Sequence, residues 1–494
     1  MKKTLIVAIL LAGFFTASAQ VTTSSVNGVV TQSAGKKTAG ATIKAVHQPS
    51  GTVYSGVSNS SGYFNLPNLR VGGPYTIEIT YANLRPVIYN DVYLQLGEPF
   101  AADATLTQES ETSIEAVKIV AVGRNSKKNG ATTVVGRKQL ESMPTLSRSL
   151  QDFTRLTPQA NGNSFGGANN RYNNITIDGA VNNDVFGLSG SGTPGGQAGT
   201  QPISLDAIQE LQVALAPFDV TQGNFTGAGV NAVTRSGTNK FEGSLYFFGR
   251  NEKTIGKSVI TGEKSSKFSD SQYGLRVGGP LIKDKLFFFF NAESGRRTSP
   301  LAFNAGEAGS TMTIEIAQQI ADYTLSKYGY DVGSYGPQDI QTQNNKFLGK
   351  IDWNINDKHQ FTLRYNYIDA FDDNLSRSAN FFRFGNNAYK FTNKQSSLVA
   401  ELRSNFNSSF SNNLILGYSS IKDSRDTAGS PFPQITILNI GGVSGASAEF
   451  GSQRSSFANE LDQTIFEVTD NFKWNIGKNT FTLGTHNEFF SFRN

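Results

Sequence analysis

Cysteine does not occur in this chain of 494 residues. Its absence removes a disulfide framework, a thiol nucleophile and any Cys-based metal site at once. Histidine is nearly as scarce. His47, His359 and His486 lie far apart and no HExxH is present, which argues against a zinc hydrolase. Charged residues make up only 17%, and the net charge of +5 is spread along the chain rather than clustered, so no nucleic-acid partner is expected. Apolar residues reach 38%, less than a soluble globular domain normally carries. No segment beyond the N-terminal leader has an apolar run approaching the roughly 20 residues that a membrane-spanning helix needs. If the chain crosses a bilayer, it must do so with strands.

The composition is rich instead in glycine (50 residues) and in aromatics, with 36 Phe and 17 Tyr. Many aromatics in a polar chain suit a surface half in lipid and half in water, because a transmembrane barrel needs only alternate residues of each strand to be apolar. The first residues read as an address. Lys2 and Lys3 precede an apolar run from Leu5 to Phe15, and Ala17-Ser18-Ala19 offers a small-residue cleavage site. This is the form of a secretory signal peptide over residues 1–19, with a short membrane anchor as the alternative. No Cys follows the cleavage site, so a lipoprotein is not expected.

Residues 20–107 read as a small β-sandwich. Tyr75, Ile77, Ile79 and Tyr81 alternate with Thr76, Glu78 and Thr80, giving one buried and one wet face. Ser60-Ser61-Gly62 and Gly72-Gly73-Pro74 read as turns. The runs Gly40-Ala41-Thr42-Ile43, Ser58 to Phe64 and Leu69-Arg70-Val71-Gly72 resemble the carboxypeptidase regulatory-like domain, a non-catalytic sandwich often found at the front of outer-membrane receptors; a generic Ig-like module is the alternative. Residues 108–122 form a polar linker ending in a β-prone strip, Val117, Lys118, Ile119, Val120, Ala121 and Val122. An exposed strip of this kind can add to a partner's sheet edge. Its position and composition resemble a TonB box, which implies a TonB-type periplasmic energy transducer as partner. The other reading is the first strand of the next domain.

Residues 123–240 read as an α+β unit poor in long helices and rich in Gly and Asn, with short helical turns between Arg137 and Leu150 interrupted at Pro144. Ile175 to Gly179 is a strand running into a turn, and a second strand centres on Leu211-Gln212-Val213. The runs NxxxIDG, AIQExQV and GxxVNAVTRSGTNxFxG between Asn174 and Gly243 resemble the plug domain of Oar-like TonB-dependent receptors. The resemblance singles out Ile175, Ile177, Asp178, Gly179, Asn231, Thr234 and Gly237 as plug-motif residues.

From Phe241 the pattern changes to nine strands, near 241–250, 270–278, 285–296, 346–355, 359–369, 395–407, 412–423, 463–476 and 480–492. Phe361, Leu363, Tyr365 and Tyr367 take one face and Gln360, Thr362, Arg364 and Asn366 the other. The connections at 279–284, 356–358, 408–411 and 477–479 are short, and those at 251–269, 297–345, 370–394 and 424–462 are long. Short inner turns alternating with long outer loops are the habit of an outer-membrane barrel. A helix is expected from Thr313 to Tyr328 within the longest loop, and Gly278 to Phe289 also resembles the second turn and third strand of Oar-like receptors.

No catalytic residue, cofactor or metal site is expected. Gly190 to Gly195 matches GxGxxG, but no strand leads in and Pro194 interrupts it, so a loop is the better reading. Asp178, Asn182, Asn183 and Asp184 could offer oxygens to calcium, yet turn chemistry accounts for them better. Asp372 and Asp373 in an outer loop carry no supporting pattern.

The chain as a whole reads as mainly β: a sandwich, a plug, and the N-terminal part of an antiparallel transmembrane β-barrel over 241–494. The resemblance implies a TonB-dependent outer-membrane receptor or transporter importing a solute not identified by the sequence, with outer-membrane lipid and an extracellular ligand as further partners. It also suggests a Gram-negative source of the Bacteroidetes kind. A surface adhesion or organising protein of the Oar type is the alternative, and a secreted protein without a barrel is a third reading. Receptor barrels of this type have about 22 strands around the plug. Nine cannot enclose a plug, and open edges in lipid are costly, so the sequence is expected to be a fragment, or a truncated gene product that cannot form a working pore alone.

Overall fold

A computed structural model describes residues 21–108, 117–120, 130–145, 147–259 and 262–494. The expected leader and Ala121 and Val122 of the strip lie outside them. Among the described residues no helix is long and apolar enough to cross a membrane.

The first eight strands are β1 (Ser24–Gln32), β2 (Thr42–His47), β3 (Thr52–Val57), β4 (Tyr63–Leu69), β5 (Gly72–Thr80), β6 (Val87–Leu94), β7 (Pro99–Ala101) and β8 (Ala104–Leu106). They form two sheets, one built on β4-β1-β7 with β8 beside β1, the other in the order β3-β2-β5-β6. Val26, Val30 and Phe64 from the first sheet and Ile43, Ala45, Tyr75, Ile77 and Ile79 from the second share one core. The alternation in β5 thus buries the face expected of it. Two details differ from expectation. Tyr81 falls past the end of β5 and is exposed. Gly72 and Gly73 belong to β5 rather than to a turn, because an irregularity in the pairing with β6 absorbs Gly72 at φ +90°. The strip contributes β9 (Val117–Val120), which runs parallel along β6 as a fifth strand of the second sheet.

The middle of the chain supplies β10 (Thr132–Gly136), α1 (Arg137–Ser142), α2 (Gln151–Thr154), a two-residue hairpin of β11 (Ala160–Asn161) and β12 (Ser164–Phe165), then β13 (Asn174–Ile177), β14 (Ala180–Val181), β15 (Ile208–Ala214) and β16 (Gly229–Thr234). Five of these strands form a mixed sheet in the order β10-β15-β16-β13-β14. Its core gathers Val135, Phe153, Ile175, Ile177, Ile208, Leu211, Val213 and Val230.

The remaining strands are β17 (Glu242–Asn251), β18 (Ser269–Ile282), β19 (Leu286–Pro300), β20 (Asp339–Asn354), β21 (His359–Asn374), β22 (Phe381–Arg383), β23 (Tyr389–Asn405), β24 (Phe410–Thr427), β25 (Ile435–Leu438), β26 (Ser447–Phe450), β27 (Glu460–Ile476) and β28 (Asn479–Arg493). Nine of them form one antiparallel meander, β17-β18-β19-β20-β21-β23-β24-β27-β28, which does not close on itself. All nine expected strands are present. Most run several residues further toward the long loops: β24 has 18 residues, against the roughly 9–11 that cross a bilayer. The face pattern reverses that of a soluble protein. Gln360, Thr362, Arg364 and Asn366 are buried, whereas Leu363 and Tyr365 on the other face are exposed, as are Phe347, Trp353, Tyr418 and Trp474. An apolar outer face of this kind is at home in lipid.

The long loops are not merely excursions. The helix α3 (Ile314–Tyr328) begins at the Thr313 cap, whose hydroxyl accepts from the Ile316 N–H at 3.2 Å, and ends at Gly329 with φ +64°. It packs over a small sheet of β22, β26 and β25. Met312, Tyr330, Val332, Phe382, Phe384, Ile440 and Phe450 from three separate loops form one hydrophobic core there.

Candidate coupling site where three units meet

The middle unit lies across the polar face of the large sheet. Phe289 of β19 and Leu348 of β20 join its apolar core, and two smaller apolar patches also meet the wall, Ala198 against Ile368, Ala370 and Phe391, and Ala180 against Val399 and Ile415; polar contacts lie between them. Ser204 donates to Glu293 of β19 at 2.8 Å, and the same carboxylate takes Lys346 of β20 at 2.8 Å and the Tyr246 hydroxyl of β17 at 2.8 Å. The Val181 N–H of β14 donates to Glu467 of β27 at 3.0 Å, and Asn366 of β21 donates to the Pro202 carbonyl at 3.2 Å.

Asp178 anchors this interface. It sits just past β13 with φ 49°, a left-handed position that Asp tolerates better than most residues. Its two oxygens accept from the Thr234 N–H at 2.8 Å and the Thr234 hydroxyl at 2.7 Å. On the wall side, the Arg364 guanidinium lies 3.4 Å away and Lys350 Nζ 3.9 Å. Lys350 also donates to Thr234, at 3.2 Å to the carbonyl and 3.0 Å to the hydroxyl. The motif residues Asp178 and Thr234, 56 positions apart, therefore form one acceptor cluster for two wall cations. Ile175 and Ile177 fill the core beneath it, and Gly179 takes φ +77° to complete the turn.

Asn231 lies on a hydrogen-bonded row across three strands. Thr176 donates to it at 2.9 Å, it donates to Gln212 at 3.0 Å, and Gln212 donates to the Leu96 carbonyl of the sandwich at 2.7 Å. Gly237 marks the passage into the wall. A Cβ there would stand 2.3 Å from the Phe288 carbonyl and 2.7 Å from that of Gly279. Of the remaining candidate oxygens, Asn183 accepts from the Ile175 N–H at 2.7 Å and Asp184 from the Ser189 N–H, whereas the buried Asn182 Oδ1 takes no hydrogen bond. Asp372 accepts from the Thr342 hydroxyl, and Asp373 lies 3.8 Å from Lys390. Among the described residues no group of acidic, His or Cys side chains is arranged to hold a metal.

The sandwich sits against the short-turn end of the sheet. Its Asn59 donates to the Gly477 carbonyl at 2.7 Å, Asn68 to Asn405 at 3.1 Å, and Asn354 of β20 donates to Thr52 at 2.9 Å. Arg70 reaches Asp352 of β20 at 3.3 Å. A cavity of about 670 Å³ remains where sandwich, middle unit and wall meet, lined by Arg70, Asp178, Arg235, Asp352, Arg364 and Arg403 among others. Beside it, burial and the Arg70 charge lower His47 from 6.5 to about 3, so its ring is neutral and exchanges a 2.7 Å hydrogen bond with Ser50. Sequence reasoning did not find Arg70, Lys350 or Asp352 as a set, because each is a lone charge on an alternating strand or turn. The alternation along 347–354, which sets Lys350 and Asp352 on the polar face opposite Phe347, Ile351 and Trp353, is the signal the sequence offers.

The strip lies at the same end. Val117–Val120 pairs with β6 from Val87↔Val117 to Asn90↔Val120. It thus extends the sandwich, which neither reading of the strip from sequence anticipated.

Comparison with known proteins bears on this arrangement. The family model described as an outer membrane beta barrel domain matches residues 233–310 and 310–494, and that described as a carboxypeptidase regulatory-like domain matches residues 25–107. The chain is 24% identical over 352 residues to the TonB-dependent transporter Oar of Myxococcus xanthus, a match covering 63% of this chain and 30% of that protein. It is 27% identical over 211 residues to the probable TonB-dependent siderophore receptor PirA of Acinetobacter baumannii, covering 39% of this chain and 26% of the relative. The chain therefore spans less than a third of the length of these curated relatives. Among solved structures, the outer membrane transporter YddB from Escherichia coli aligns with a TM-score of 0.49 at 15% identity, covering 70% of this chain and 46% of that one.

Proposed function

This chain belongs to the outer membrane beta barrel family and carries a carboxypeptidase regulatory-like domain, and from that premise we propose that it forms the front part of a TonB-dependent transporter. In this reading the middle unit is the plug, residues 241–494 begin the barrel wall in the outer membrane, and the short turns face the periplasm. Val117 to Val122 is the strip gripped by the energy transducer, and residues 1–19 direct export. The outer lobe around α3 meets the extracellular solute first. Import is carried forward rather than passive adhesion because the relatives bear the names of a transporter and a siderophore receptor.

The observation that carries the proposal is the polar seating of the middle unit. Glu293, Lys350, Arg364 and Glu467 hold it through hydrogen bonds and ion pairs, and apolar contact with the wall is confined to separate patches at Phe289 and Leu348, at Ala198 and at Ala180. Water can replace such contacts as they break, so their net strength is small beside their number. A unit held in this way can be shifted by a pull; one sealed by apolar packing would resist it.

The test uses Val120→Pro in the full chain, which removes an N–H that strand addition needs. Cells carrying it should lose energy-dependent uptake across a panel of candidate solutes, siderophores first, while the protein still reaches the outer membrane. Undiminished uptake of a solute that the unaltered protein imports would sink the assignment of the strip.

A further inference from the structure

We propose that the sandwich is a latch for the coupling strip: β6 holds Val117–Val120 as an added strand, and the energy transducer must displace that pairing before it can pull on the middle unit. The inference rests on the reading of the strip given above and adds to it where the strip rests and what releases it.

The pairing itself is the first observation. β6 ends the path β3-β2-β5-β6, and β9 occupies its open edge in unbroken parallel register over four residues. The second observation is the quality of that junction. The β2–β3 ladder of the same sheet is antiparallel and joins six residue pairs; the β6–β9 ladder is parallel and joins four. Parallel pairing is slightly weaker per residue, so β9 is the strand of this sheet most readily peeled away. The third observation is where a load would go. The strip lies between the sandwich and β10 of the middle unit in the chain. The sandwich is tied to the wall by Arg70 on Asp352 and by Asn59 and Asn68 at the short turns. Tension on a strip still zipped to β6 is borne by that anchored body. Tension on a freed strip passes along the chain to β10. Release from β6 is therefore what converts a grip on the strip into a pull on the middle unit.

A latch of this type sets the apparent affinity of the partner. If the strip is free in a fraction f of molecules, the apparent dissociation constant is the intrinsic one divided by f, so a strip docked about 99% of the time binds about 100-fold more weakly than a free one.

The absence of cysteine makes the test clean. Asn90→Cys and Val120→Cys face each other in register, at the spacing of about 4.8 Å between neighbouring strands, within the range that a disulfide bridges. The full chain with both substitutions is titrated in detergent with the purified C-terminal periplasmic domain of the host's TonB-type transducer, oxidised and then reduced. The expected result is a disulfide on oxidation, a loss of binding of tenfold or more, and recovery on reduction, with each single-cysteine variant binding like the unaltered chain. Failure of the disulfide to form would show that the strip does not rest on β6. A disulfide that leaves binding unchanged or tightens it would mean that the partner adds to the outer edge of β9 instead, and the latch would be refuted. Val120→Pro separates the underlying reading. If that variant binds the transducer domain normally, the strip is not the partner's site, whatever the disulfide reports about its resting place.

Discussion

Arg70 of the sandwich and Asp352 of β20 form an ion pair at 3.3 Å across the boundary between the front module and the wall. Asp352 is almost fully buried and also accepts from the Thr362 hydroxyl at 3.2 Å. Removing the arginine leaves a buried carboxylate without its main counter-charge, a change that costs about 2–4 kcal/mol by the behaviour of other buried pairs. Arg70→Ala should therefore lower the thermal stability of the full chain in detergent by that order. Asp352→Asn combined with Arg70→Ala should recover part of the loss, because no charge is then stranded. Strictly additive losses in the double-mutant cycle would mean that the two side chains do not interact.

Asp178 poses the complementary case, an anion in the middle unit facing two cations in the wall. Asn at this position keeps the left-handed backbone and can still accept from Thr234, so Asp178→Asn isolates the charge. Arg364 and Lys350, both buried, would lose their shared partner. The expected outcome is looser seating of the middle unit, by about 3 kcal/mol, read as faster hydrogen exchange of β13 and β16. Combining Asp178→Asn with Lys350→Met should restore protection. Exchange unchanged in the single variant would remove Asp178 from the account of how the unit is held.

These contacts mark the limit of what the sequence shows. Alternation exposed all nine wall strands because Phe361, Leu363 and Tyr365 need lipid while Thr362 and Arg364 need the polar interior. The strand ends beyond the bilayer escaped it. Residues 424–427 are polar on both faces, and in 389–394 the aromatics Tyr389 and Phe391 sit on the inward face while Lys390, Thr392 and Lys394 point outward, so the lipid-facing apolar row is missing although the ladder continues. The outer lobe escaped for another reason. Tyr330 stacks on Phe432 at 4.1 Å and Phe384 packs edge-on to Phe450, but these partners lie 102 and 66 positions apart, and a single sequence carries no record of such pairings. The role of Arg70 is hidden likewise: the sandwich motif gives its place in a turn, not the wall that it reaches.

Gly237 was legible as a motif residue, and the structure supplies the reason. The chain leaves the middle unit so close to the β18–β19 hairpin that a methyl group would press into backbone carbonyls. Backbone cannot rotate aside as a side chain can, so Gly237→Ala should cost at least the 1–3 kcal/mol or so of an overpacked site and lower the yield of folded protein in the outer membrane. Gly349 on β20 is the control. A Cβ there meets nothing within 4 Å, and Gly349→Ala should assemble normally. Equal yields from both variants would contradict the close passage at Gly237.

Glu210 of β15 makes docking of the sandwich on the middle unit depend on pH. Its carboxylate accepts the Leu96 N–H. Burial, reinforced by the charge of Glu98, nevertheless raises its pKa from 4.5 to about 7. A carboxyl whose pKa is higher in the assembled state favours assembly when protonated. The contribution is full below pH 4.5 and is lost as pH rises to 7, above which the ionised group bears the whole penalty. The shift corresponds to about 3 kcal/mol at most. Stability of the sandwich–middle-unit contact should therefore decline between pH 4.5 and pH 7 on account of this residue. Glu210→Gln keeps an oxygen for Leu96 and cannot ionise, so it should flatten that decline and raise the melting temperature at pH 8 while changing little at pH 4.5. A variant whose pH profile parallels the unaltered chain would mean that Glu210 carries no proton linkage, and that its buried charge is balanced by a group other than those around Leu96.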